Sequence, residues 1–91
     1  MSIERINRWV RNGEKAYRLR LYRKAYHWFR RAAKYGDNRA LKRMGDLYYC
    51  GLGVEEDDGK ALNYYSEAYD RGNTEARYFC DQIIHIFELS M

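Results

Sequence analysis

Apolar positions recur along this chain at three- and four-residue spacing, in runs short enough for helices of three or four turns. That period is the mark of helices with one buried stripe; a strand would alternate every second residue. Five helices are predicted. The first runs roughly from Ile3 to Leu19, with Gly13 in its interior. The second runs from Tyr22 to Lys34 on Ala25, Trp28, Phe29, Ala32 and Ala33, and Gly36 ends it. The third runs from Arg39 to Cys50 on Ala40, Leu41, Met44, Leu47 and Tyr48. Gly51-Leu52-Gly53-Val54 reads as a tight loop. The acids Glu55 to Asp58 then suit the N-terminal dipole of a fourth helix from Gly59 to Asp70. Thr74, after Gly72-Asn73, is predicted to cap a fifth helix that continues to Leu89. On this last helix Ile83, Ile84 and Phe87 share a face, extended by Phe79 and Cys80, that should pack on helices three and four. Ile86 and Leu89 then point elsewhere, as an exposed apolar patch of the kind that marks interfaces.

The pattern also repeats. A shift of 36 residues superimposes Lys24 on Lys60, Ala25 on Ala61, Ala32 on Ala68, Gly36 on Gly72 and Ala40 on Ala76. Trp28 and Phe29 fall on Tyr64 and Tyr65. Alanines at fixed offsets with large aromatics between them are what close helix–helix packing requires. From Asn38 to Asn73 the chain resembles a Sel1-like repeat. The resemblance is carried by Ala40, Met44-Gly45, Tyr48, Gly51-Leu52-Gly53-Val54, Asp57, Lys60-Ala61, Tyr64-Tyr65, Ala68 and Gly72. The first repeat lacks the glycine loop and is more similar to the tetratricopeptide repeat, at Trp9, Gly13, Ala25, Phe29 and Ala32. The fifth helix resembles the first half of a third repeat, with Ala76 in place but Asp81 where a glycine is expected. The resemblance implies an all-α fold: a short right-handed α-solenoid of one domain over residues 1–91. Repeat one covers about 3–37, repeat two 38–73, and a terminal half-repeat helix 74–91. Because each repeat buries its apolar face only against neighbours, the fifth helix is expected to supply the missing half-unit; a dimer is the alternative.

Charge adds a direction. Met1 to Arg43 carries fourteen Lys and Arg against three acids, whereas Met44 to Met91 carries three against ten. A basic half attracts acidic protein segments or a phosphate backbone, but the ten acids argue against nucleic acid as the partner. No run is apolar enough to cross a membrane or to form a signal peptide, so the chain as given reads as cytoplasmic.

Candidate chemistry is sparse. Gly51-Leu52-Gly53 follows a helix and lacks the strand and third glycine of a nucleotide loop. Glu55 to Asp58 lacks the ligand alternation of a calcium loop. Cys50 has no histidine placed beside it, and His27 and His85 are too few for a metal. Cys50 and Cys80 are expected to be buried free thiols. No enzyme and no cofactor is therefore expected. The repeat resemblance implies instead a protein-binding module whose first helices line a concave face. Carried onto this sequence, its binding positions are Asn7, Val10, Glu14, Tyr17 and Arg18; Arg39, Lys42, Asp46, Tyr49 and Cys50; and Glu75, Tyr78, Gln82, His85 and Ile86. Arg18, Arg39 and Lys42 beside Tyr17 and Tyr49 would suit a partner bearing carboxylates and an apolar anchor. Such a module is an adaptor or regulator; an immunity protein or antitoxin that blocks a toxin is the alternative, and the C-terminal helix offers a surface for a homodimer.

Overall fold

The computed structural model describes residues 2–90. Five helices follow one another: α1 Ile3–Arg18, α2 Tyr22–Lys34, α3 Asn38–Cys50, α4 Asp58–Asp70 and α5 Glu75–Leu89, with no strand among the described residues. Each packs mainly on the next in sequence. The result is an elongated stack of 43 × 26 × 17 Å, an all-α solenoid of helix pairs as the repeat pattern requires.

The repeated alanines are the contact points. Ala25, Ala32, Ala40, Ala61, Ala68 and Ala76 are all fully buried, which lets successive backbones approach while Phe29, Leu41, Met44, Leu47, Tyr65 and Ile83 fill the space between them. The two helix pairs share a second device. Gly13 on α1 lies against the Phe29 ring of α2, and Gly45 on α3 lies against the Tyr65 ring of α4. A Cβ on either glycine would come within 2.7 and 2.5 Å of those rings. Gly13, which propensity disfavours in a helix interior, is there because a ring occupies the place of its side chain. On α5 the corresponding register is held by Asp81, which is exposed and pairs with Arg77 at 3.9 Å.

The caps recur as well, with one correction. Asp37 accepts from the backbone N–H groups of Arg39 and Ala40 at 3.0 and 3.1 Å and opens α3. Asp57 does the same for Lys60 at 2.9 Å and opens α4. Before α5 the cap is not Thr74, whose side chain makes no capping bond. Asn73 Oδ1 accepts from Ala76 N at 3.3 Å, in the place Asp37 holds one repeat earlier, because Thr74 already has helical backbone angles and its hydroxyl is a step too late.

Asp37 also couples the fold to pH. Burial opposes its charge, but donors from Arg39 and Ala40 outweigh burial and hold its carboxyl below the ordinary 3.8. A carboxyl depressed on folding stabilises fully above the unfolded value and loses that contribution as pH falls through the folded one. Asp37→Asn keeps the cap but not the charge. It should cost about 0.5–1 kcal/mol at pH 7, and chemical melts of the two proteins should converge once the pH has fallen through the lowered folded value, below the ordinary 3.8. A gap that persists in acid would place the effect in geometry and not in charge.

Helix α5 corrects the expected face. Its buried stripe is Ala76, Cys80 and Ile83, with Phe79 packed beside it. Ile84 and Phe87 are 44% and 41% exposed. The reason is geometric: Ile84 lies to one side of that stripe, while Phe87 continues it one turn beyond Ile83, toward the far end of α5, where burial has already stopped. Ile86 and Leu89 are exposed, as expected. Of the two thiols, Cys80 is buried but Cys50 is exposed; both are free.

Candidate partner-binding face

Helices α1, α3 and α5 lie in one row, and α3 is tied to both neighbours by its own side chains. Toward α1, Arg39 donates to Asn7 Oδ1 at 2.7 Å, and Arg43 forms a two-pronged pair with Glu14 at 2.8 and 3.0 Å. The Arg43 guanidinium also sits 4.3 Å from the centre of the Tyr17 ring. Toward α5, Lys42 reaches Glu75 at 3.0 Å and lies over the Phe79 ring, while Tyr49 meets Phe79 edge-on.

Asp46 is the hub of this row. Its side chain is buried, and one oxygen accepts the Tyr65 hydroxyl at 2.6 Å while the other accepts from Lys42 Nζ at 2.9 Å and Arg43 at 3.1 Å. Burial, helped by the Asp46 charge, pushes the Tyr65 hydroxyl far above its usual range, so it stays a donor. Arg43 is held charged first by its bond to Glu14. The exposed Glu75 carboxyl is lowered by Lys42. No buried side-chain polar atom among the described residues lacks a partner.

The sequence-derived positions therefore divide. Asp46 is buried and fully engaged, and Val10 is core. Lys42 is paired to Asp46 and Glu75, and Arg39 to Asp37, so the predicted basic groove is largely neutralised from within. Glu14 serves Arg43, and Tyr17 and Tyr49 are half-buried struts. Arg18, Tyr78, Gln82, His85 and Ile86 are exposed, Tyr78 to 62%. Sequence reasoning missed Arg43, which joins α1 to α3. A signal for it was present: Glu14 and Asp46 each follow the packing glycine of their helix, and a cation one turn before Asp46 lies where it can serve both.

No candidate metal cluster of three or more His, Cys, Asp or Glu residues occurs among the described residues, and none of their helices is long and apolar enough to cross a membrane. The row is thus a cross-braced surface, and α5 at its edge carries exposed aromatic and apolar side chains. Comparison with known proteins gives the family. The Sel1 repeat model matches residues 18–37 and 38–73, more than half of the chain, and the chain belongs to the Sel1 repeat family, whose repeats generally mediate protein–protein interaction. A Sel1-like repeat-containing protein of Schizosaccharomyces pombe is 41% identical over 49 residues, which is 54% of this chain and 7% of that protein. No solved structure matches.

Proposed function

We propose that this chain is a non-catalytic adaptor or regulator that binds a partner protein across the α1–α3–α5 row. The observation that supports it is the apolar exposure of α5. Tyr78, Ile84, Ile86, Phe87 and Leu89 are all at least 40% exposed, on a helix packed only against α4 and the edge of α3. Interface anchors are typically aromatic and apolar groups of this kind, ringed by polar neighbours, and Gln82 and His85 on the same helix supply polar ones. The ion pairs of α3 contribute by fixing the row before binding, which lowers the ordering cost.

Lys42 and Arg39 are not the residues to test, because reversing either would break the brace. Ile86→Asp and Tyr78→Ala are solvent-exposed changes that leave the core intact. A partner captured by cross-linking from host lysate and titrated calorimetrically should lose about tenfold or more in affinity with either variant. Unchanged affinity for both would move the site off α5. If the occupant is a second copy of this chain, light scattering of the wild type at rising concentration registers it, and Ile86→Asp abolishes it.

A further inference from the structure

We propose that the groove between α2 and α4, on the side away from the α1–α3–α5 row, is a second docking site that takes an acidic peptide segment. The inference goes beyond the reading above and does not depend on it. It starts from where the uncompensated charge lies. The cations of α3 are consumed by Asp37, Glu14, Asp46 and Glu75. By contrast Arg30, Arg31 and Lys34 on α2 and Lys60 on α4 are exposed, and none of them makes an ion pair with any described residue. These four line two adjoining hollows of about 480 and 500 Å³ that share Arg30, Tyr64 and Glu67 and so form one groove.

The floor of the groove has the chemistry of a peptide site. Tyr64 stacks on Tyr48 with ring centres 5.8 Å apart and planes within 8°, and Lys60 sits 5.3 Å from the centre of the same Tyr48 ring. The Tyr26 and Tyr48 hydroxyls are 3.1 Å apart. Two hydroxyls joined by one hydrogen bond keep one proton to give away, and burial together with the bond to Tyr26 pushes Tyr48 up to about 12, so Tyr48 keeps its proton. A carboxylate between Arg30 and Lys60 would thus accept from two cations and a phenol. The spacing of Arg30, Arg31 and Lys34 along one helix face extends the positive wall for a further acidic residue.

A nucleic acid fits less well. Tyr48 is buried between its neighbours and presents no free face for a base to stack on. Glu67 stands on the groove wall, paired only with Arg71 at 3.6 Å. It would repel a continuous phosphate chain, whereas it can accept an amide N–H of a peptide.

The test uses a fluorescein-labelled hexaglutamate peptide and the full chain, read by fluorescence anisotropy in low salt. The wild type should bind saturably. Arg30→Glu and Lys60→Glu should each weaken binding by at least about tenfold, while Arg11→Glu, a charge change of the same size on the exposed side of α1, should weaken it by less than about threefold. Circular dichroism keeps the comparison to folded variants, and Arg30→Gln, which removes the charge without reversing it, should fall between. The proposal is overturned if the wild type does not bind, if Arg11→Glu is as damaging as the groove variants, or if a twelve-nucleotide oligothymidylate displaces the peptide at equal or lower concentration.

Discussion

Replacing Asp46 by alanine should lower the unfolding free energy by about 3–5 kcal/mol, the range found when one partner of a buried ion pair is removed. The size follows from what the carboxylate holds. It accepts from Lys42, Arg43 and the Tyr65 hydroxyl, and both cations are themselves largely shielded, with side chains 14% and 27% exposed. Without the acid, two positive charges face each other on α3 and a fully buried phenol loses its acceptor. Asp46→Asn separates the contributions. The amide oxygen can still accept from Tyr65, so the loss should be roughly half as large, and the remainder measures the charge. Urea denaturation followed by circular dichroism reads both. A loss below about 1 kcal/mol for alanine would mean that Lys42 and Arg43 turn to Glu75 and Glu14 at no cost, and that Asp46 is not the hub.

Gly53→Val should cost about 3 kcal/mol. Gly53 has a φ of +73°, a region that a β-branched residue occupies only under strain. Space is denied as well. A Cβ there would lie 2.8 Å from the Tyr22 carbonyl carbon and 2.9 Å from the Arg23 nitrogen, atoms of the first turn of α2 that cannot swing aside as a side chain could. The loop after α3 is thus pressed on the start of the preceding helix, and the valine must either lift the loop or shift α2. Gly53→Ala isolates the angle and the first carbon, and should account for most of the effect. A thermal melt of Gly53→Val that matches the wild type would remove both arguments.

The fold was largely legible because its determinants are periodic. Alanines 36 residues apart can be found without knowing what they touch, and all six that repeat are buried. The glycine loop and the Asp57 cap are local signals of the same kind. The cap of α5 was misread because Asn73 and Thr74 are both good capping residues, and only the backbone angle at Thr74 decides between them. The exposure of Ile84 and Phe87 was not legible, because apolar spacing says which residues share a face, not how wide a face the neighbouring helix covers, which leaves out Ile84, nor how far along it burial extends, which leaves out Phe87. The charged row was the least legible part. Arg39 and Lys42 look like free cations in a list of residues; Asp37 and Asp46 are near them in sequence, but their other partners, Asn7 and Glu75, are brought near only by the packing of helices. The same blindness hid the α2–α4 groove, whose lysine and arginines look like an ordinary solvated face until their lack of counter-charge is seen.

Asp81 bears on how this stack can grow. In both pairs the second helix seats its ring on bare backbone, Phe29 on Gly13 and Tyr65 on Gly45. At the equivalent step of α5 a ring would land on a carboxylate. The periodic rule that builds the first four helices is therefore broken at the fifth, whatever chain follows it. One aspartate, exposed and paired with Arg77, thus stands where the first two pairs have a glycine beneath a ring.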